Sequence, residues 1–343
     1  MLVLIGNSPS SGSTLLSELL DSTPISLSGE ELGLFACNKF YGDFNNSVQS
    51  TSSCKSLYIS RIGLFSKGLP SYGLTSEQVK EMSNDHLNAT DFVDSFLSKY
   101  KEFRGRDADV IFEKTPQNLS CIGEFLESFE DSYFIHIVRN PVNVFLSLLK
   151  RGFPPYVAVY TWLLDVATFY KYRNHERVIN ISYEELTNNP YGLVSEILRK
   201  ITGKVISPVE IEAMYKGNTF RAEHTLKIDS WSNQEFGSIS NNHNKKLTQE
   251  QKRIFCNALN GRISDSYANK SGIPVVTYVE MIKYFGYSSI LDEMKGGTSL
   301  SKSPRDYKQL LSRFYHDYKA SDATLKELCS YLNPIEKVTK CEN

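Results

Sequence analysis

Short apolar runs alternate along the chain with longer stretches in which apolar residues recur every three or four positions. The short runs are typical of buried strands, and the longer spacing is typical of amphipathic helices. Strands that alternate with helices indicate βαβ units, and therefore a parallel sheet with helices on both faces. The predicted strands are residues 2–5, 25–27, 110–112, 133–138 and 178–181. The pattern therefore assigns the chain to the α/β class.

Helical spacing covers most of the chain between these strands. One helix begins at Ser13 and another follows Pro141, and Thr75 and Thr248 are predicted to cap two more. The two capped helices are residues 76–82 and 247–259, and the other predicted helices are residues 91–103, 118–129, 158–172, 192–201, 278–285, 307–318 and 322–331. Residues 34–108 are interpreted as an insertion or lid. The last ten residues have no apolar period and are expected to be disordered.

The first predicted strand runs into a loop of small residues and then into a helix. Residues 6–12 are rich in Gly, Ser, Pro and Asn, and the leucines after Ser13 lie on one helical face. The first N–H groups of a helix lack partners and attract anions. The stretch is similar to a Walker A loop, but one extra residue separates the glycines and Ser13 replaces the lysine. We therefore predict a phosphate site not built for a nucleoside triphosphate; the alternative is a turn that binds nothing.

Charged residues follow three of the predicted strands. Open α/β sheets bind ligands at the carboxyl ends of their strands, so Lys114 and Arg139 are candidate ligand contacts, and a guanidinium suits phosphate. The adjacent carboxylates Glu30 and Glu31 are candidate general bases. The alternatives are a surface lysine and a solvated acidic turn. A P-loop nucleotidase would carry a metal-binding aspartate where Arg139 stands, which counts against Mg²⁺-dependent phosphoryl transfer.

Composition narrows the class further. The chain has 343 residues, of which 41% are hydrophobic and 22% charged, enough for one large domain with insertions. A net charge of −1 argues against a broad basic face for nucleic acid. The six cysteines are scattered without a C-x-x-C motif, so a disulfide framework or zinc site is not expected. The predicted strand at residue 2 leaves no room for a signal peptide, and no run has the length of a membrane helix, so we expect a cytoplasmic protein without a membrane partner.

The order and spacing of these motifs resemble those of the sulfotransferases that use 3′-phosphoadenosine 5′-phosphosulfate (PAPS). The resemblance is strongest to the branch that contains the tyrosylprotein sulfotransferases and many bacterial small-molecule enzymes. Residues 9–16 are similar to the loop that binds the 5′-phosphosulfate, and residues 20–31 to the stretch that ends in the general base. Residues 137–147 resemble the 3′-phosphate motif. Further matches to family signatures are Lys114 in Glu-Lys-Thr-Pro, Tyr183 in Tyr-Glu-Glu-Leu, and Gly217, Asn218, Arg221 and Trp231.

The resemblance implies a P-loop-NTPase-like parallel sheet flanked by helices, with insertions and a helical C-terminal extension. Residues 1–260 would form the sulfotransferase domain, with residues 34–108 on the acceptor side, and residues 261–343 would form the extension packed on the same domain. The implied reaction moves a sulfuryl group from PAPS to a hydroxyl or amine of a small-molecule acceptor, such as a secondary metabolite, and releases PAP without a metal. The implied catalytic residues are Glu31 and Lys114. The implied cofactor-binding residues are Ser10, Ser11, Gly12, Ser13, Thr14, Arg139, Ser147, Tyr183, Asn218 and Arg221.

Two residues depart from the family pattern. Ser10 stands where the loop normally carries Arg or Lys, which removes a cation from the leaving phosphate. Gly33 stands where the tyrosylprotein branch keeps an Arg, which argues against a peptidyl-tyrosine acceptor. A P-loop kinase and a catalytically inactive PAP-binding or other nucleotide-binding protein are the alternative functions, and a homodimer is left open.

Overall fold

The protein is represented by a computed structural model, and its described parts form two compact units. The first unit comprises the described parts of residues 1–7, 12–137 and 174–241, and the second those of residues 8–11, 138–173 and 242–343. The described residues are 1–36, 38–42, 68–86, 88–217, 239, 246–294 and 335–338.

The first unit is built around a five-stranded parallel sheet. Its strands are β1 (Leu2–Asn7), β2 (Ser26–Ser28), β3 (Val110–Lys114), β4 (Tyr133–Val138) and β5 (Val178–Ser182). Their order across the sheet is β2-β3-β1-β4-β5. Ile5 of β1 lies opposite Lys114 of β3 on one side and Ile135 of β4 on the other. Because β2 and β3 are parallel neighbours, their carboxyl ends lie on the same side of the sheet. The segment after Ser28 therefore begins on the side where Lys114 ends β3.

Helices connect the strands of the sheet and make up most of the other described elements in both units. Capping supports several of them: Thr75 and Thr248 each form the predicted capping box, with Gln78 and Gln251. Two short 3₁₀ helices span Leu69–Tyr72 and Pro116–Cys121. The α-helices are α1 (Ser13–Asp21), α2 (Asn38–Gly42), α3 (Ser76–Asp85), α4 (Ala89–Arg104), α5 (Ile122–Ser128), α6 (Pro141–Lys150), α7 (Pro155–Tyr170), α8 (Tyr183–Asn188), α9 (Pro190–Thr202), α10 (Pro208–Gly217), α11 (Gln249–Leu259), α12 (Asp265–Ser271), α13 (Tyr278–Tyr284) and α14 (Ser289–Glu293).

The core of the first unit lies between the sheet and the helices packed on it. α1 contributes the predicted apolar face, because Leu15, Leu16, Leu19 and Leu20 are all buried. Burying one such leucine is worth about 1.5–3 kcal/mol, which ties α1 firmly to the sheet. The same cluster includes apolar side chains of β1, β3, β4, β5 and α8 to α10.

The second unit has a separate, aromatic core around α7. This helix is apolar on all sides, which predicts its burial. Trp162 stacks on Tyr278 of α13 with ring centroids 5.3 Å apart. Strand β6 (Gly261–Ile263) pairs antiparallel with β7 (Ile335–Lys337), so a segment close to the C-terminus joins this unit.

The α/β class, the five strands and the parallel sheet with flanking helices are confirmed. Residues 118–129 are predicted as one helix, but the structure has a 3₁₀ helix up to Cys121 followed by α5. The Asn118 side chain donates a hydrogen bond to the backbone of β1, and this bond holds the chain in the tighter turn. Strand β7 lies where disorder was predicted, and α10, α12 and α14 lie where no helix was predicted. The two helices predicted after residue 306 lie outside the described residues.

Candidate active site

Helix α1 begins at Gly12, which adopts a conformation that other residues avoid. Its φ is 96° and its ψ is 13°, in the left-handed region, and its carbonyl accepts the first helical hydrogen bond from Leu16 at 3.2 Å. A Cβ atom at this position would lie 2.2 Å from the ring of Tyr183. The backbone at Gly12 therefore packs closely against the Tyr183 ring. The next residues, Ser13 and Thr14, begin α1, where the first N–H groups have no partner within the helix.

The loop before Gly12 is a tight turn in the second unit. The backbone N–H of Ser11 donates to the carbonyl of Ser8 at 3.2 Å. Ser10 has a φ of 74°, the one positive value at a non-glycine residue in the described chain. The buried hydroxyl oxygens of Ser10 and Ser11 have no hydrogen-bond partner among the described residues. Buried hydroxyls that a ligand could satisfy, and a residue held in a sparsely populated backbone conformation, are both features expected of a binding loop.

Arg139 contacts this loop from the end of β4. Its Nη1 donates to the carbonyl oxygen of Ser10 at 2.9 Å, and its own carbonyl accepts a hydrogen bond from the indole of Trp162 at 2.9 Å. The next residue, Asn140, caps α6 by accepting from the N–H groups of Val142 and Asn143. The guanidinium of Arg139 is thus held by the loop, and its backbone carbonyl is held by Trp162 of the aromatic core.

Glu31 and Lys114 form a buried ion pair in the first unit. Nζ of Lys114 donates to Oε1 of Glu31 at 2.8 Å, although 83 residues separate them in the chain. Glu31 is 7% exposed and Lys114 is 5% exposed. The alternatives of a solvated acidic turn at Glu31 and a surface lysine at Lys114 are therefore wrong.

The charge on Lys114 is stabilised by its acidic neighbours. Burial by itself lowers the pKa of Lys114, but the attraction of Glu31, and to a smaller extent of Glu30, outweighs burial and raises that pKa above its ordinary value. Lys114 is therefore a protonated cation at neutral pH, in a dry environment that strengthens its electrostatic interactions.

Glu113, which the sequence analysis does not select, is also completely buried in β3. Its Oε1 accepts hydrogen bonds from the N–H of Leu32 at 2.9 Å and from the hydroxyl of Thr115 at 2.5 Å. Its Oε2 accepts from the side-chain amide of Asn118 at 2.7 Å. Burial raises the pKa of Glu113 and these hydrogen bonds oppose that rise. A glutamate that directly follows the apolar run 110–112 and precedes Lys114 was a signal that could have identified it from the sequence.

Part of the segment interpreted as an insertion lies against the turn that carries Glu31. The hydroxyl of Tyr72 donates to the carbonyl of Glu30 at 2.8 Å, and the hydroxyl of Tyr100 donates to the carbonyl of Ser28 at 2.9 Å. A Cβ atom at Gly29 would lie 2.1 Å from the ring of Tyr72, so the turn can approach this ring only because residue 29 is glycine. The described part of residues 34–108 therefore supports the candidate base directly.

Some of the remaining predicted site residues lie within the described part of the chain and others do not. Tyr183 is buried at the start of α8, against Gly12. Ser147 lies in α6, two helical turns after Arg139, and is half-buried. Asn218, Arg221 and Trp231 lie outside the described residues. The structure thus pairs Glu31 with Lys114, Arg139 with Ser10, and Gly12 with Tyr183.

Two features are absent from the described residues: a membrane-spanning helix and a cluster of metal-binding side chains. No helix in this part of the chain is long and apolar enough to cross a membrane. Within the same residues, no group of three or more His, Cys, Asp or Glu side chains is arranged to hold a metal ion.

Several solved structures are distantly similar to this chain. The sulfotransferase domain of the olefin synthase of Synechococcus PCC 7002 is 18% identical, with 67% of this chain and 91% of that chain covered and a TM-score of 0.42. The sulfotransferase domain from the curacin biosynthetic pathway is 17% identical, with coverages of 67% and 94% and a TM-score of 0.40. Retinol dehydratase in complex with androsterone and inactive cofactor PAP is 12% identical, with coverages of 89% and 83% and a TM-score of 0.32. No curated protein matches the sequence.

A family model provides the assignment. The model of the sulfotransferase family matches residues 3–202, more than half of the 343 residues. The matched region contains the loop before α1, the Glu31–Lys114 pair, Arg139 and Tyr183, so the family match and the geometry concern the same residues. The chain belongs to the sulfotransferase family.

Proposed function

We propose that this protein transfers a sulfuryl group from PAPS to a hydroxyl or amine of a small-molecule acceptor and releases PAP. The observation that carries the proposal is the buried pair of Glu31 and Lys114, because it combines a candidate base with a stable cation. PAPS would supply an activated sulfuryl group on a phosphate leaving group. A buried cation stabilises the charge that develops as such a group is transferred.

Glu31 acts as the general base in this proposal. It takes the proton of the acceptor as the new bond to sulfur forms, and general-base help is typically worth about 10²–10⁴ in rate. Lys114 keeps its proton, because its raised pKa disfavours giving it up, and stabilises negative charge on the oxygen whose bond to sulfur breaks. An ammonium has three donors, one of which contacts Glu31, so it can bind Glu31 and a charged oxygen together.

Two features of the chain fit the anionic ends of PAPS. The hydroxyls of Ser10 and Ser11, for which the described part of the chain provides no partner, suit the 5′-phosphosulfate. So do the N–H groups at the start of α1, with the side chains of Ser13 and Thr14. The guanidinium of Arg139, with Ser147, suits the 3′-phosphate, as would Asn218 and Arg221. The Tyr183 ring would contribute by supporting Gly12.

A ligand screen separates this function from its alternatives. PAP, ADP and ATP are each added to the protein, with and without Mg²⁺, and its melting temperature is measured. We expect PAP to raise the melting temperature most, and by the same amount with and without Mg²⁺, because side chains provide the cations. A larger rise with ATP and Mg²⁺ would support a P-loop kinase instead.

Turnover of labelled PAPS with a panel of small alcohols, phenols and amines tests the base. Glu31→Gln removes the proton acceptor and keeps the side-chain volume, so kcat should fall by about 10²–10⁴ while PAP affinity in calorimetry stays within a few-fold. Glu30→Gln is the matched control, because the neighbouring Glu30 is only half-buried and should lose little activity. Full activity of Glu31→Gln would reject Glu31 as the base, and a wild-type protein that binds PAP but sulfates nothing in the panel would support the inactive PAP-binding alternative.

A further inference from the structure

Glu113 and Lys114 are neighbours on β3 and interact with the same short segment of the chain. Successive side chains of a strand point to opposite faces. Lys114 contacts the Glu31 carboxylate, whereas Glu113 contacts the backbone N–H of Leu32, the residue after Glu31. Two adjacent strand residues therefore hold both the side chain and the main chain of one region.

The carboxylate of Glu113 is the centre of a small hydrogen-bonded network. Thr115 donates its hydroxyl to Glu113 and accepts the N–H of Gly33 at 3.0 Å, so Glu113 holds a second backbone group indirectly. Asn118 donates to Glu113 and also to the carbonyl of Ile5 on β1 at 3.1 Å. The segment after Glu31 is thus connected through Glu113 to the central strand.

The residue before Glu31 is held from the other side. The hydroxyl of Tyr72 donates to the Glu30 carbonyl, as described above. The backbone of residues 30–33 is therefore fixed by hydrogen bonds before and after Glu31, and the Glu31 side chain is left to interact with Lys114.

We propose that Glu113 is a positioning residue whose buried carboxylate fixes the backbone next to Glu31 and so keeps that base in register with Lys114. The inference rests on the proposed function, because it concerns the base of that reaction. It adds a residue that neither touches the acceptor nor provides the cation. Misplacing a catalytic group by about 1 Å can cost about 10²-fold in rate, so a residue that fixes this turn has a large effect on turnover.

Glutamine is a demanding substitution at this position although it has nearly the same shape. All three groups that approach the Glu113 carboxylate are donors: the Leu32 N–H, the Thr115 hydroxyl and the Asn118 amide. The NH₂ group of a glutamine side chain, placed at either oxygen position, would face at least one of these donors and could not form a hydrogen bond with it. Rotation of Asn118 does not solve this, because its NH₂ also donates to the Ile5 carbonyl.

The central experiment combines Glu113→Gln with Glu31→Gln. Turnover is measured with labelled PAPS and the acceptor of the panel that the wild-type protein sulfates fastest. We expect Glu113→Gln to lower kcat about 10- to 100-fold with the KM for PAPS within about twofold. In the double variant, Glu113→Gln should have almost no additional effect, because there is no base left to position. A kcat of Glu113→Gln within twofold of wild type, or losses that multiply in the double variant, would overturn the proposal.

Thr115 offers a second test that does not alter the buried charge. Thr115→Val removes the hydroxyl that connects Glu113 to the Gly33 N–H, whereas Thr115→Ser keeps it. We expect Thr115→Val to reproduce part of the kcat loss and Thr115→Ser to retain most activity. Equal activity of the two variants would contradict the network, and this pair remains informative if Glu113→Gln does not fold.

Amide hydrogen exchange separates failure of this inference from failure of the proposed function. In Glu113→Gln, loss of the contact with Leu32 should speed exchange of the Leu32 amide about tenfold or more, because a hydrogen bond to a charged group is stronger than one to a neutral group. Unchanged exchange would overturn the positioning role whatever the activity. A wild-type protein that sulfates no acceptor would overturn the proposed function, and the exchange result would then still decide whether Glu113 holds this segment.

Discussion

The Glu31–Lys114 pair and the contact between Arg139 and Ser10 are both made by a cation at the end of a strand, but their partners differ in kind. Lys114 contacts a buried carboxylate, and the neighbouring Glu113 carboxylate accepts hydrogen bonds from Leu32 and Thr115. Arg139 contacts a backbone carbonyl in a loop that contains a residue of positive φ and two hydroxyls without partners among the described residues. In the first region the charged groups have partners within the chain, whereas the second contains buried hydroxyls for which the described residues provide no partner.

The two regions would therefore have different roles in the proposed reaction. A base and its cation must be in place before reaction, because preorganised charge needs no rearrangement when charge develops. A loop that binds an anion gains specificity from groups that only the anion satisfies. Substitutions in the first region should therefore change stability and turnover, and substitutions in the second should change ligand affinity.

The largest expected effect on stability comes from breaking the buried pair. Lys114→Met leaves Glu31 as an uncompensated buried charge, so the free energy of unfolding should fall by about 3–5 kcal/mol in urea denaturation. Lys101→Met is the matched control, because Lys101 pairs with Asp107, whose side chain is 97% exposed. Such an exposed pair is worth about 0–1 kcal/mol. Adding Glu31→Gln to Lys114→Met should restore part of the loss, and failure to do so would contradict the pairing.

The same pair predicts how stability depends on pH. The folded-state pKa of Lys114 is raised above its ordinary value of 10.5, so folding favours the protonated amine. This contribution is fully present below the ordinary value and is lost as pH rises through the raised folded-state value. The difference in unfolding free energy between wild type and the Glu31→Gln/Lys114→Met variant should therefore be constant from neutral pH to about pH 9 and fall once the pH rises past the ordinary pKa of 10.5. A constant difference throughout would show that Lys114 does not titrate as described.

A smaller effect, on affinity alone, is expected from Arg139→Ala. If this guanidinium binds a phosphate of PAP as proposed, its loss should weaken PAP binding about 10- to 100-fold, as charged hydrogen bonds contribute about 1.5–3 kcal/mol. The measurement is calorimetry with PAP. Arg173→Ala is the control, because Arg173 lies in the same unit and stacks on the Tyr170 ring at 3.9 Å. Equal affinities of wild type and Arg139→Ala would remove Arg139 from the binding site.

The smallest effect concerns the backbone of Ser10. Its φ of 74° suits glycine and disfavours branched side chains. Ser10→Gly should change the free energy of unfolding by no more than about 1 kcal/mol, and Ser10→Val should cost about 1–2 kcal/mol. Thermal unfolding of the two variants provides the comparison. If valine is tolerated as well as glycine, the loop does not hold residue 10 in the left-handed conformation.

The sequence predicted the elements of the fold better than their exact extents. Strands and long amphipathic helices were found because burial imposes a local period that a single sequence records. The turn at Asn118 and strand β7 were missed for one reason: both depend on partners distant in the chain, β1 for the turn and β6 for the strand. No local pattern can reveal such partners.

The candidate residues show the same limit. Glu31, Lys114 and Arg139 were selected from their places after strands, and the resemblance to sulfotransferases assigned their roles. The place of Glu113 after an apolar run marks it in the sequence, but its contacts with Leu32, Thr115 and Asn118 appear only when the chain is folded.

By itself, the sequence determined that this is an α/β protein with a small-residue loop before a helix and with charged residues where strands end. These features follow from short-range spacing and from the chemistry of single side chains. Only the tertiary structure decided that Glu31 meets Lys114, that Glu113 fixes the chain beside them, and that Arg139 reaches the Ser10 carbonyl. The physical reason is that strand pairing brings together residues far apart in the chain, and buried charges persist only where such pairing provides them with partners.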